Sequence, residues 1–274
     1  MPTAKYKDFG QMADLTYNFA GKTALVTGAA GGIGRATAIA YASSGANVVV
    51  TDIQAEGGEE TTHAITAAGG RAIFVRFNVT SSDDVDSLID TCIATYGRLD
   101  FACNNAAVEL EDTGLADVQD EQARRVVEIN FMGVFLCMKR QIDKMLDQGG
   151  GSIVNVASMN ALRPRPDSAV YDGTKAAVLA MTRSAALAYT SRKIRINAVC
   201  PGVTDTPMLA FKMDLVGAER SMIEQVANLE KRLGRPDELA AAILWLSSDA
   251  ASLVTGHALP VEGGYLLTGA IPAG

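Results

Sequence analysis

Thr23-Ala24-Leu25-Val26-Thr27-Gly28-Ala29-Ala30-Gly31-Gly32-Ile33-Gly34-Arg35 decides the reading of the fold. Thr23–Thr27 is a short uncharged run, as expected of a strand covered on both faces. Glycines break it at once, and the apolar-rich stretch Ile33–Ser44 then reads as a helix. Gly28 permits a tight turn off the strand. At Gly32 and Gly34 the missing Cβ leaves room for a phosphate, or for close contact of helix and strand. The helix N-terminus adds unsatisfied N–H groups and the positive end of its dipole. A glycine cluster alone is only a turn. Between strand and helix it becomes a cradle for the pyrophosphate of a dinucleotide, which makes Gly28, Gly32, Ile33 and Gly34 candidate cofactor contacts.

The same rhythm continues along the chain. Strand-like runs recur at Asn47–Thr51, Ala72–Phe77, Leu99–Cys103, Ser152–Val156, Ile194–Val199 and Ala258–Val261. Helical stretches lie between them at Glu56–Ala68, Ser82–Tyr96, Asp120–Asp147, Tyr171–Thr190 and Pro236–Ser247. Such alternation predicts an α/β fold: a single-domain Rossmann-type, doubly wound parallel sheet of about seven strands with helices on both faces. Residues 1–20 carry no pattern and read as an N-terminal arm, with the domain spanning 21–274. Segment 203–232, rich in Met and Leu, reads either as a surface helix pair or as a mobile lid over a pocket.

Composition excludes several classes. A net charge of -7 argues against nucleic acid as a partner, since phosphate binding needs clustered cations. Cys92, Cys103, Cys137 and Cys200 form no C-x-x-C pair, and His63 and His257 stand far apart, so no metal site is expected. Cysteines so few and scattered suit core positions in a reducing compartment. No run has the length of a signal peptide or a membrane span, and the expectation is a cytoplasmic protein with no membrane partner.

Asp52 closes the second strand, about 20 residues past the glycines, where an acid accepts hydrogen bonds from the ribose hydroxyls of the adenosine. It would repel the 2′-phosphate of NADP. Gly31 and Ile53 beside it offer no counter-charge, and Arg35 lies one turn into the helix. NAD is the expected cofactor, ahead of NADP.

Tyr171 and Lys175 are four apart on one helical face. A free phenol has a pKa of ~10 and is a poor base near neutrality. A neighbouring ammonium should lower that value and let Tyr171 exchange a proton with a carbonyl or alcohol oxygen during hydride transfer. Ser158 follows the strand Ser152–Val156, where its hydroxyl can hold the same oxygen. Asn130 sits inside an otherwise apolar helix and needs a polar partner. Taken singly, Ser158 could equally be a turn cap and Asn130 a structural amide.

Together these motifs resemble the short-chain dehydrogenase/reductase family, in its compact carbonyl/alcohol branch, over about residues 20–266. The resemblance rests on Thr27–Gly34, Asn104-Asn105-Ala106-Ala107, Asn130, Ser158, Tyr171 with Lys175, and Pro201-Gly202 with Thr206. The enoyl-reductase branch spaces its Tyr and Lys more widely. The resemblance implies a catalytic tetrad of Asn130, Ser158, Tyr171 and Lys175. Lys175 would also bind the nicotinamide ribose, and Asn130 would hold a water linking Lys175 to solvent. Asn78 and Val79 would meet the adenine. Asn105 and Ala106 would line the cofactor site. Pro201, Gly202, Val203, Thr204 and Thr206 would cover the nicotinamide. Asn78 stands where the family more often has Asp, and Ala107 where it has Gly; neither change removes a catalytic group.

The implied substrate is a secondary alcohol or ketone in a moderately apolar pocket. Loop 107–114, segment 203–230 and Met159, Asn160, Leu162, Val203, Met208 and Phe211 are the expected walls. Arg163 and Arg165 could meet an anionic group but read more simply as solvated loop residues. The broad apolar face of the helix at 120–147 predicts a homotetramer of the kind common in the family. An idle NAD-binding regulator on the same fold is the main rival, and a full tetrad argues against it.

Overall fold

The computed structural model describes residues 16–267. Its sheet has seven strands: β1 Thr23–Thr27, β2 Asn47–Asp52, β3 Arg71–Arg76, β4 Phe101–Asn104, β5 Gly151–Val156, β6 Ile194–Pro201 and β7 Ala258–Val261. Their order is β3-β2-β1-β4-β5-β6-β7, and every pairing is parallel. Chain direction across the sheet reverses between β1 and β4, so a crevice opens at their carboxyl ends.

Strand residues feed two cores in alternation, as a period of two requires. Leu25, Val49, Ala102 and Ile153 face one side. They pack with α3 (Ser82–Tyr96), α5 (Gly133–Gln148) and α6 (Ala169–Tyr189) through Leu88, Met138, Met145 and Leu179. Ala24, Val26, Val48, Val50 and Val154 face the other side. There they meet α1 (Gly32–Ser43), α2 (Ala55–Ala67) and α9 (Pro236–Ser247) through Tyr41, Ile65, Ile243 and Leu244. Among the described residues, the remaining α-helices are α4 (Asp120–Val127), α7 (Pro207–Val216) and α8 (Arg220–Ala227).

Two expectations need correction, and segment 203–232 takes one of the two forms left open for it. The predicted helix at 120–147 is not uniform: a π-helical turn, Glu128–Met132, separates α4 from α5. Its bond from Gly133 N–H to the Glu128 carbonyl spans five residues. Segment 203–232 is a helix pair, α7 and α8, with Thr206 capping α7 by accepting from the Leu209 N–H at 3.3 Å. The arm expected over 1–20 is shorter. Phe19 is buried between Tyr41 and Phe101, and its N–H donates to the Ser44 carbonyl, so the domain begins before residue 21. The rest of that arm, residues 1–15, lies outside the described residues.

Candidate active site

Two adjoining cavities lie at the carboxyl edge of the sheet, and Ile33, Asn105, Ala107, Glu109 and Met208 border both. The first, about 530 Å³, is a trough. Gly28, Gly32, Asp52, Asn78, Val79, Ala106 and Thr206 line it. Gly28 makes its turn at φ +66°, with Asn105 and Ala106 so close that a Cβ would lie 2.8 Å from the Ala106 Cα. Asn105 Nδ2 donates to the Thr27 and Gly28 carbonyls at 3.0 and 2.9 Å, which locks the loop to the end of β4. Gly34 lines neither cavity. A Cβ there would stand 2.1 Å from the Gly28 carbonyl oxygen, so its bare backbone serves helix–strand contact and not a ligand. Thr206 and Pro207 face Gly31 and Gly32 across the trough.

Asp52 ends β2 with both oxygens held by backbone: Oδ2 accepts from the Ala30 N–H and Oδ1 from the Gln54 N–H, each at 3.0 Å. Arg35, the only cation near it in the sequence motif, is engaged elsewhere. Its Nη2 donates to the Ala30 and Gly57 carbonyls and to Glu60, and its Nε to Thr61. A long cleft with glycine floors, a helix N-terminus and an acid at its far end fits a nicotinamide dinucleotide.

The second cavity, about 460 Å³, holds the chemistry. Tyr171, Ser158 and Lys175 share its wall with Pro201, Gly202, Val203 and Thr204. Lys175 is 2% exposed; its Nζ donates to the Val156 carbonyl at 2.9 Å and lies 5.6 Å from the centre of the Tyr171 ring. Ser158 accepts from the Asn160 N–H at 3.1 Å, and its hydroxyl also reaches the Tyr171 phenol, where it favours the phenolate. Asn130 lines neither cavity. Within the π-helical turn its Oδ1 accepts from the Val108 N–H at 2.9 Å and its Nδ2 donates to the Val108 carbonyl at 2.8 Å. The side chain expected to hold a water thus pins the loop that leaves β4.

Beneath these residues lies a buried amide network. Asn104 of β4 exchanges two hydrogen bonds with Gln141 of α5 and gives one to Asn155 of β5. Asn155 in turn donates to Thr182 of α6 at 2.9 Å. β4, β5, α5 and α6 are therefore tied to one another by satisfied, uncharged groups.

Electrostatics correct one expectation. Burial pushes the Tyr171 phenol above its ordinary value, Glu109 adds to the rise, and Ser158 and Arg165 oppose it only in part. The expected lowering by Lys175 does not prevail over burial. Burial also drives Lys175 down to about 8, despite the attraction of Glu109. Unfolded, the same lysine keeps its proton to a higher pH, so its burial costs stability below pH 8, and that cost fades as pH rises from about 8 toward ~10.4. Lys175→Met is accordingly expected to stabilise the fold at pH 7 by about 1–3 kcal/mol, with a smaller gain at pH 9.5. Urea titrations at both pH values check it; a gain independent of pH would contradict the assignment.

Three acting residues were missed from sequence. Glu111 is buried, and its carboxylate accepts the N–H groups of Val170 and Tyr171 at 2.9 and 2.6 Å, capping the catalytic helix where the dipole is positive. Glu109 accepts from Ser168 at 3.2 Å and pairs with Lys212 of α7 at 3.5 Å. Lys212 was detectable as the one basic residue of Pro207–Val216. Of the expected walls, Met159, Asn160, Val203 and Met208 line the catalytic cavity. Leu162 lies outside it at the surface, and Phe211 borders the trough instead. Arg165 does line the cavity, but its guanidinium grips Asp167 at 3.1 and 2.6 Å. Arg163 stacks on Tyr265 and donates to its carbonyl.

With this geometry established, likeness to known proteins defines the class. A family model described as enoyl-(acyl carrier protein) reductase matches residues 28–266. The 2,5-dichloro-2,5-cyclohexadiene-1,4-diol dehydrogenase of Sphingobium indicum is 42% identical over 93% of this chain and 99% of its own. The cis-4-hydroxycyclohexanecarboxylate dehydrogenase of Sinomonas cyclohexanicum is 43% identical over 90% and 97%. Among solved structures, levodione reductase superposes with a TM-score of 0.89 at 32% identity, covering 92% of this chain and all of that one. A 3-ketoacyl-(acyl-carrier-protein) reductase of Brucella melitensis, complexed with NADH, gives 0.83 at 33% identity, over 90% and 99%. The chain belongs to the short-chain dehydrogenase/reductase family. It is an alcohol/ketone oxidoreductase that uses a nicotinamide cofactor.

Proposed function

We propose that this enzyme interconverts a cyclic secondary alcohol and its ketone with NAD(H), using Tyr171 as the general acid/base. The observation that carries this reading is the meeting of Tyr171, Ser158 and Lys175 on one wall, where the dinucleotide trough opens into the second cavity. A nicotinamide bound there supplies the hydride acceptor or donor. Ser158 orients the substrate oxygen, and Tyr171 takes or gives its proton. Lys175, at the ring of Tyr171, offers the charge that favours the phenolate and a donor for the cofactor ribose. Asn130 acts through its hold on Val108, and Asn105 through its hold on the glycine loop. Ring alcohols are favoured because the two dehydrogenases named above, 42% and 43% identical, carry ring alcohols in their names and because the cavity is compact and mostly apolar.

Preference for NAD rests on Asp52, which would repel a 2′-phosphate, and on Arg35, whose Nε and Nη2 are engaged by Thr61, Ala30, Gly57 and Glu60. The test is NADH or NADPH formation, by absorbance, across a panel of cyclic secondary alcohols. NAD is expected to exceed NADP by at least ~10-fold in kcat/KM, and Asp52→Ala to narrow that gap. NADH binding without turnover on any ring alcohol would overturn the reading in favour of an idle binder.

Assembly is proposed as a homotetramer. The core of the protomer covers most of the apolar face at 120–147, yet Val127 and Phe135 remain exposed there, as does Leu187 on α6. Light scattering at micromolar concentration is expected to give four times the protomer mass, and a monomer would refute it. Four buried free thiols suit a reducing compartment, and the cytoplasm is the proposed location.

A further inference from the structure

Lys212 is out of place by ordinary rules. It lies on α7, the helix that roofs the catalytic cavity, among Met208, Leu209 and Met213. Its side chain is 9% exposed, and its ammonium makes no hydrogen bond. Glu109 balances its charge at 3.5 Å, but that oxygen also accepts from Ser168. An ammonium has three N–H donors, and leaving them unmet in a buried site is costly. Lys212 lines the cavity, so the acceptor that would satisfy it belongs to whatever fills the cavity.

The other charges of the wall do not compete for that role. Arg165 is spent on Asp167, and Lys175 is bound to the Val156 carbonyl. Among the described residues of the lining, Glu109 and Asp167 are the two acids, against the three cations Arg165, Lys175 and Lys212, so one positive charge is left over. Lys212 is also close to the chemistry, since the charge of its neighbour Glu109 is felt at both Tyr171 and Lys175. The remaining wall, with Met159, Val203, Leu209 and Val216, is apolar and suits a ring. We propose that Lys212 binds a carboxylate on the substrate, which makes the substrate class the cyclic hydroxy acids and their keto acids. This rests on the ring-alcohol reading above. In the oxidation, the carbinol C–H passes as hydride to NAD⁺, the hydroxyl proton goes to Tyr171, and the carboxylate is unchanged.

The test has a binding arm and a turnover arm, both on the full chain saturated with cofactor. By calorimetry on the NADH complex, cyclohexanecarboxylate is expected to bind at least ~10-fold more tightly than cyclohexanecarboxamide, the scale of a charge-assisted hydrogen bond. Lys212→Met should erase that preference, and Lys212→Arg should keep part of it. In turnover, the kcat/KM ratio of 4-hydroxycyclohexanecarboxylate to cyclohexanol should fall at least ~10-fold in Lys212→Met. Equal losses for acid and neutral substrates would overturn the proposal and leave the Lys212–Glu109 pair as a strut for α7. If Lys212→Met does not fold, the comparison of carboxylate with carboxamide on the unmodified chain decides alone. Lys212-dependent binding of cyclohexanecarboxylate without turnover of any ring alcohol would sink the ring-alcohol reading and the hydroxy-acid substrate class with it, leaving Lys212 as a carboxylate-binding residue alone. Ring-alcohol turnover with no preference for the carboxylate would keep the ring-alcohol reading and overturn this proposal.

Discussion

Tyr171→Phe is expected to lower kcat by at least ~10³-fold on every substrate while NADH binds within about 2-fold of its normal affinity. The substitution removes one oxygen and little else. Phe keeps the ring, so the buried contact with the Lys175 ammonium, 5.6 Å from the ring centre, survives. The backbone N–H that Glu111 accepts is also untouched. What disappears is the proton acceptor beside Ser158. Without it, an alkoxide would have to form in a wall that already disfavours charge, as the raised phenol and the depressed ammonium both testify. Steady-state assays and a fluorescence titration with NADH separate chemistry from binding. Activity within about tenfold of normal would remove Tyr171 from the acid/base role.

Gly34→Ala should be nearly as damaging, by a different route. The new methyl would lie 2.1 Å from the Gly28 carbonyl oxygen and 2.6 Å from Asn105 Nδ2. Both belong to the hydrogen-bonded loop and cannot move without breaking it. We expect about 3 kcal/mol or more of lost stability and at least ~100-fold weaker NADH binding. Gly173→Ala is the control: it too is a helical glycine, but nothing stands within 4 Å of its added methyl, and the helix should gain up to about 1 kcal/mol. Thermal melts of both variants, with and without NADH, read the contrast. Gly34→Ala with unchanged melting and affinity would show that the loop tolerates what its geometry forbids.

Much of this was legible in the residues, for physical reasons. Strands buried on both faces have no polar alternation, so Thr23–Thr27 and Asn47–Asp52 stand out as short apolar runs, and a glycine loop between strand and helix has few other uses. Boundaries moved where caps decide them: β4 begins at Phe101, two residues later than expected, and α6 at Ala169, two earlier, because Glu111 reaches from another segment to cap it. Such a long-range cap leaves no local mark. The π-helical turn at Asn130 was equally hidden, since it is one extra residue per turn in a pattern that still looks helical. The partners of Glu109 and Lys212, and of Asn104, Gln141 and Asn155, are far apart in sequence, and only the fold brings them together.

That last group has a wider consequence. An amide has a distinguishable front and back, so the chain of Asn104, Gln141, Asn155 and Thr182 closes in a single orientation; a shift of α5 by one residue would part Gln141 from Asn104, and a shift of α6 would part Thr182 from Asn155. None of the four titrates at working pH. The protein therefore rests its acid/base chemistry on a keyed foundation that ignores acidity, while the roof, α7 and α8, shares none of those bonds. Substitutions in the roof can retune which molecule enters without disturbing the alignment of Tyr171 and Lys175, and so a new specificity can arise there one residue at a time.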